Sequence, residues 1–397
     1  MPRPLNIIVG GYIVGLPLAG MTWHHLHYLL GLERLGHRVT FLEDSGGWST
    51  PYNPVTLEST PDPTYGIDYL KRCFAQVGFG GRWAYVSRLV EPGRRTTFGM
   101  TDAELDQLFA RADLYIAVSG VTPWDDERPP PQRTLGIDTD PVFTQGRMTH
   151  DAAFADYWRR FDLLTSFGTR LGQPDCDVPT HGLHWEPTRQ PVVLDQWPLT
   201  PLKPGAAWNT LGRWEHEDSR HVEVAGRKLL SSKRPGWEKV AALPARVPGP
   251  RLRMAMSQID GEERDRYAGS GWSFDDPTAI SLSLDTYGQF IRDSLGEFTP
   301  CKQIYSDLPS GWFSDRAACF LASGRPVVTQ SSGFEAGPLA LPTGEGLFSW
   351  RDASEAANGL RAVSQDVSRH SAAARAIAKT HLDHRVTLAP LLGFAMS

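Results

Sequence analysis

Cysteine is scarce and scattered. Cys73, Cys176, Cys301 and Cys319 stand far apart with no C-x-x-C spacing, which signals neither a zinc site nor a disulfide framework. Reduced, structural thiols are expected. Charge of one sign is lacking too, since 40 Lys and Arg against 45 Asp and Glu leave a net charge of -5. That balance gives no reason to expect nucleic acid as a bulk electrostatic partner. No apolar run approaches the ~20 residues that a membrane helix needs, so no membrane span is expected. The apolar start NIIVGGYIVGLPLAG resembles a secretory signal, but its paired glycines and the polar helix after it fit a first strand and loop better. A cytoplasmic protein is expected. No internal repeat or low-complexity segment stands out.

What remains is ordinary globular composition, 41% hydrophobic and 21% charged. At 397 residues the chain is too long for one core. Two α/β domains are expected, at 1–190 and 205–365, with a linker at 191–204 and a C-terminal helical segment at 366–397.

The first domain opens with a strand at Leu5–Val9 and the Gly10-Gly11 turn. A helix then spans Thr22–Leu35, where Trp23, Leu26, Leu29, Leu30 and Leu32 recur at roughly helical spacing. Gly36 ends it and Val39–Leu42 is the next strand. Strand, glycine loop, helix and strand make a βαβ unit, which implies a parallel sheet with helices on both faces. Further along lie a helix at Asp102–Ala110 capped by Thr101, strands at Leu114–Val118 and Arg133–Ile137, a helix at Phe154–Phe161 and a strand at Leu163–Ser166. Tyr52–Arg95 reads as irregular insertions around a helix near Tyr69–Val77.

Prolines accumulate from Pro187 to Pro204, where any regular period is lost, so the linker is placed there. A second alternation follows: strand Trp208–Trp214, helix Gly236–Leu243, strand Leu252–Met256, helix Leu284–Ser294. The charge cluster Glu262–Arg266 reads as a solvated face. Trp158, Trp185, Trp197, Trp208 and Trp214 are expected to crowd the domain junction, where they either pack or stack on a ring-shaped acceptor. An Ala-rich helix at Ser368–His381 can pack back across the linker.

The chain is organised around Ser310–Trp350. A loop opening at Ser310-Gly311 leads into a small-residue helix from about Ser314 to Ala322, then a Gly-Arg-Pro turn and a buried strand at Pro326–Thr329. A helix start carries free N–H groups and about half a positive charge, which suits a diphosphate. Ser310, Gly311 and Ser314 are the expected donors to it, and Lys302 and Arg316 the neutralising cations, of which only Arg is bidentate. Trp312 and Phe313 line a base or sugar, or else belong to the core. Glu345, in the TGEGL turn, accepts from ribose or hexose hydroxyls, or else is an exposed turn residue. Arg325 is expected at the surface.

GWFSDRAACFLASGRPVVTQSSGF, followed by LPTGEGLFSW, resembles the nucleotide-sugar site of GT-B glycosyltransferases. The run GMTWHHLHYLLGLERLGHRVTFLED looks like their acceptor domain. The resemblance implies two Rossmann-like domains facing across a central cleft, and covers about a quarter of the chain. Retaining members carry a Glu-x7-Glu pair, and here Gly311 and Cys319 stand in those two places, which favours an inverting mechanism. Such a mechanism needs a general base beside the acceptor. His24 and His25 occupy the stretch where many inverting members carry a histidine, and a helix start keeps such a ring neutral. Asp138 and Asp140, in IDTDP, hold the acceptor or orient the histidine, or merely cap the next turn. Gly11 and Asp140 are assigned to the acceptor side.

The expected function is glycosyl transfer from a nucleotide sugar, inverting and without a metal. The nucleotide sugar is a co-substrate and no other cofactor is implied. The alternatives are a nucleotide-sugar epimerase of the same fold and a non-catalytic nucleotide-sugar-binding protein. The sugar, base, acceptor and oligomeric state are not written in the sequence.

Overall fold

A strand that leads through a glycine turn into a helix can pair in parallel only with a strand reached by crossing over the sheet. Two sheets of this kind form, in a computed structural model that describes residues 3–47, 50–91, 94–122, 128–214, 221–249 and 251–397. The first has eight strands in the order Glu186–Pro187, Leu163–Ser166, Thr134–Asp138, Leu114–Val118, Asn6–Gly10, Arg38–Asp44, Arg82–Glu91 and Arg94–Phe98. All its pairs are parallel except the last. Asn6–Gly10 lies between strands reached by crossovers in opposite directions, so a crevice opens beyond its carboxyl end.

The second sheet runs Ser273–Phe274, Leu252–Ser257, Trp208–Arg213, Gly296–Thr299, Val327–Gln330 and Leu347–Trp350, all parallel. Its order reverses beside Trp208–Arg213, which puts a matching crevice at the carboxyl ends of Trp208–Arg213 and Gly296–Thr299.

One hydrophobic core joins the two sheets. Ile7, Val9, Trp23 and Leu26 of the first half share it with Tyr287, Ile291, Ala318 and Phe320 of the second. The first helix, Ala19–Arg34, packs on helices Leu284–Asp293 and Asp315–Ala322. The last helix, His384–Ala395, returns to the first half and packs on Ala19–Arg34, with a strand-like bridge between Val192 and Asp383. On another side of the molecule the hairpin His221–Val224/Arg227–Leu230 lies on helix Phe143–His150. Val222 and Val224 share a core there with Val142 and Met148.

Several expectations need correction. Tyr52–Arg95 is more regular than its composition suggests, holding helix Thr64–Val77 and the sheet-edge hairpin Arg82–Glu91/Arg94–Phe98. The linker segment 191–204 is packed into the molecule: Val192, Val193 and Trp197 are fully buried, with Val192 hydrogen-bonded to Leu382 of the returning C-terminal segment and Trp197 packed on Trp23, His27 and Tyr287. The five tryptophans do not crowd one junction. Trp158 and Trp185 fill one core, Trp197 another, and Trp208 and Trp214 a third. Arg325 is buried, donating to the carbonyls of Arg292 and Thr200. Glu262–Arg266 does lie on a surface helix, Gly261–Gly269, where Arg266 bridges Glu238 and Glu263. Among the described residues no helix is long and apolar enough to cross a membrane.

Candidate active site

The glycine loop after the first strand is shaped by one buried acid. The carboxylate of Glu43, at the end of strand Arg38–Asp44, accepts from the N–H groups of Ile13, Val14 and Gly15 at 2.6 to 2.7 Å. Burial pushes this carboxyl up to about 7, against the pull of those three donors. The loop in turn fixes the histidines. His25 accepts from the Tyr12 N–H at 3.2 Å through Nε2, while its Nδ1–H faces the Met21 carbonyl at 2.9 Å. With both nitrogens engaged and its pKa driven well down by burial, His25 is a neutral structural ring. Gly11 is required by this contact, since a Cβ there would stand 2.1 Å from the His25 ring. Gly11 thus supports the loop rather than presenting a contact of its own. His27 is also structural, lying between the Val193 N–H, the Trp197 indole and the Cys319 thiol, with burial lowering it to about 3.

His24 differs from both. Its Nδ1 stands 3.1 Å from Oδ1 of Asp315, across the boundary between the halves. The contact is close but off the hydrogen-bonding angle, and neither atom has another partner among the described residues. Its Nε2 faces the Ser119 hydroxyl at 3.5 Å. Ser119 follows strand Leu114–Val118 in the left-handed region at φ 62°, a strained setting for a serine and one that gathers at functional sites. Its Oγ meets Thr139 Oγ1 at 2.7 Å and is also hydrogen-bonded to Tyr12, whose hydroxyl pKa burial raises.

Asp138 is not part of this arrangement. It is 1% exposed and accepts from Thr144, Gln145, Ser166 and the Asp140 N–H, which ties the strand end to helix Phe143–His150. Burial raises it to about 6, but its lone pairs are spent and the orienting role assigned to it falls to no contact it makes. Asp140 does face the cleft, receiving Lys302 Nζ at 3.0 Å and the Tyr305 hydroxyl.

On the opposite wall, Ser314, expected as a donor to the diphosphate, is the N-cap of helix Asp315–Ala322, its hydroxyl accepting from the Ala317 N–H. The loop before it is gripped from the first half. Arg170 N–H binds the Ser310 carbonyl at 2.8 Å, and the Gly311 carbonyl accepts from Arg189 at 2.8 Å and Thr169 at 3.3 Å. Gly311 has φ +87°, which a side chain would resist. Trp312 stacks on Tyr305 at 4.4 Å and donates to the Thr139 carbonyl. Phe313 is 1% exposed against Phe334, so the core reading holds for it.

Arg316 does not reach out as a free cation. Its guanidinium is bound to the buried Glu297, the Leu211 carbonyl and Thr299. Glu345 is exposed in its turn and paired with Arg369, with no contact to the site. The cation that sequence reading missed is Lys233. The residue is only partly buried, yet its ammonium is enclosed, donating to Thr299 at 3.2 Å. Desolvation, helped by Arg316 nearby, pulls it down to about 7. Lys233 lies near Arg316 and Lys302 where the second crevice opens, but Arg316 is paired with Glu297 and Lys302 with Asp140, so of the three Lys233 is the one without an ion pair among the described residues. Lys233 was hidden because it sits 20 residues past strand Trp208–Arg213, outside any motif. Ser119 and Asp315 were hidden because their partners lie in distant segments.

No family model and no curated relative matches the chain. Solved structures do match over nearly its full length. AviGT4, a glycosyltransferase involved in avilamycin A biosynthesis, is 15% identical with TM-score 0.54, covering 98% of this chain and 96% of that one. Sucrose-phosphate synthase from Thermosynechococcus elongatus is 13% identical with TM-score 0.56 over 100% of both chains. An alpha-glucosyltransferase in complex with UDP and DNA is 11% identical with TM-score 0.59, covering 98% and 99%. Two parallel sheets facing across a cleft, closed by a returning C-terminal helix and superposable end to end on these glycosyltransferases, identify the GT-B fold.

Proposed function

We propose that this chain is a glycosyltransferase that moves a sugar from a nucleoside diphosphate sugar to an acceptor hydroxyl, with inversion and without a metal. The observation that carries the reading is the meeting of two features across one cleft. Lys233, Arg316 and Lys302 cluster beside a capped helix start on one wall. On the other wall stands His24, the one histidine of the first helix with a ring nitrogen facing a hydroxyl in the cleft. Lys233 and the helix-start amides meet the charge that develops on a departing diphosphate, with Arg316 behind its Glu297 partner and Lys302 beside Asp140 adding to the field, which is electrostatic work a divalent ion does elsewhere. His24 is the base that takes the acceptor proton. Inversion is supported by the two places that hold a glutamate pair in retaining members. Here they hold Gly311, whose carbonyl is bound by Arg189, and the buried thiol Cys319. The neighbouring folds are glycosyltransferases, one solved with UDP and another, from Anabaena, with UDP and glucose.

A panel of nucleotide sugars, each offered with pooled hydroxyl acceptors, tests the reading. Release of free nucleotide with sugar incorporated is expected. His24→Ala lowers turnover at saturating donor by at least ~10²-fold, the lower end for loss of a general base. Interconversion of donor sugars without transfer points to an epimerase, and binding without turnover of any donor points to a non-catalytic protein.

A further inference from the structure

His24 is 4% exposed, with its ring enclosed by His25, Tyr28 and Phe167 at 5.0 to 6.0 Å. A base so enclosed does not itself meet an acceptor. The group between its Nε2 and the cleft is the hydroxyl of Ser119, a half-buried residue held in the left-handed region by the turn after its strand. On the other side of the ring, Nδ1 faces Asp315 and has no hydrogen-bond partner among the described residues. Serine, imidazole and carboxylate thus lie in a row with the buried imidazole in the middle, and the carboxylate, a third exposed, comes from the second half of the molecule.

We propose that Ser119 is a catalytic residue that relays the acceptor proton to His24, and that Asp315 is a positioning residue that holds His24 with its proton on Nδ1. This rests on the glycosyltransferase reading above. In the step, the acceptor oxygen forms its bond to the anomeric carbon as the anomeric carbon–oxygen bond to the diphosphate breaks, and the nucleoside diphosphate leaves with that electron pair. The acceptor proton passes to Ser119 Oγ while the hydroxyl proton of Ser119 passes to His24 Nε2. The Asp315 carboxylate, 3.1 Å from Nδ1, stabilises the imidazolium by its charge and favours the tautomer that leaves Nε2 free, the role a carboxylate plays beside a catalytic histidine. Thr139 and Tyr12 hold the serine hydroxyl in line. Because Asp315 begins the helix whose capped start faces the donor, the base is oriented only while the two halves are docked as they are here.

The test uses the full chain with whichever donor and acceptor turn over. Ser119→Ala and Asp315→Asn are each expected to lower kcat by 10- to 10³-fold with donor KM within about twofold, as for removal of members of one relay. Ser119→Thr, which keeps the hydroxyl, recovers at least a tenth of wild-type kcat. The double variant is no slower than His24→Ala, since residues that act as a unit are not additive. Nitrogen-15 spectra of labelled histidine, taken without substrate, show His24 protonated on Nδ1 in the wild type and a mixed tautomer in Asp315→Asn. If His24→Ala abolishes transfer while Ser119→Ala keeps kcat within twofold, the relay is wrong and His24 takes the proton directly. An unchanged His24 tautomer in Asp315→Asn overturns the positioning role. If His24→Ala itself keeps full turnover, it is the glycosyltransferase reading of His24 that fails.

Discussion

Raising the pH from 7 to 9 is expected to weaken nucleoside diphosphate binding by about 50-fold, through Lys233 alone. The ligand-free ammonium sits at about 7, lowered first by burial and then by Arg316. A diphosphate beside it supplies the negative charge that burial withholds and returns it toward the ordinary lysine range. Half of the free protein is then binding-competent at pH 7 but only about one molecule in a hundred at pH 9, a cost of about 2.3 kcal/mol. The ligand does not contribute in this window, because a phosphate's last ionisation lies near pH 6. Titration calorimetry with UDP at pH 8, in two buffers of different ionisation enthalpy, should show uptake of about 0.9 proton per site. In Lys233→Met the uptake disappears and affinity at pH 7 falls. Uptake below about 0.2 proton in the wild type, or equal uptake in Lys233→Met, refutes the argument. The same shift has a consequence for the empty protein. The unfolded chain binds the proton between pH 7 and the ordinary lysine pKa while the fold does not, so this group's contribution to stability rises with pH across that window.

Gly11→Ala forces a Cβ to within 2.1 Å of the His25 ring and displaces it from its two hydrogen bonds, so thermal denaturation should record a loss of about 2 kcal/mol or more. Arg189→Met strips the carbonyls of Gly311, Phe334 and Leu339 of a donor in a buried setting. At about 1–3 kcal/mol for each buried group left unpaired, a clear fall in melting temperature and a raised donor KM are expected. If instead Arg189→Met is stabilised, the relief of burying a cation with no acid among the described residues outweighs its hydrogen bonds.

The alternation of strand and helix was visible because it is local: Leu114–Val118 is a continuous run without charge, and Val39–Leu42 is broken only by Thr40, as a sheet covered on both faces demands. Thr101 capping Asp102–Arg111 was visible for the same reason, since the capping box spans the four residues Thr101 to Glu104. What could not be seen depends on pairs remote in the chain. His24 and Asp315 are 291 positions apart and Lys233 and Thr299 are 66, and no period or spacing announces them. The residues that misled did so because a side chain's chemistry does not reveal its partners. Asp138 carries the right group at the right strand end, yet Thr144, Gln145 and Ser166 consume it. Arg325 and Arg316 have charges that suit a surface or a phosphate, but backbone carbonyls and Glu297 hold them inside.

The apolar core shared by both sheets bears on how such a protein diversifies. Trp23, Tyr287, Phe320 and Leu388 belong to the two halves in sequence but to one interior in space. A graft that exchanges the first half of this chain for that of another GT-B protein therefore exchanges half of a packed interior, not a module bounded by solvent. The tolerant ground lies elsewhere. The exposed turn from Val55 to Leu57 belongs to a small separate hairpin, Tyr52–Asn53/Glu58–Ser59, and strand Arg94–Phe98 is the edge of the first sheet. Sequence variation can collect there while the buried seam stays fixed.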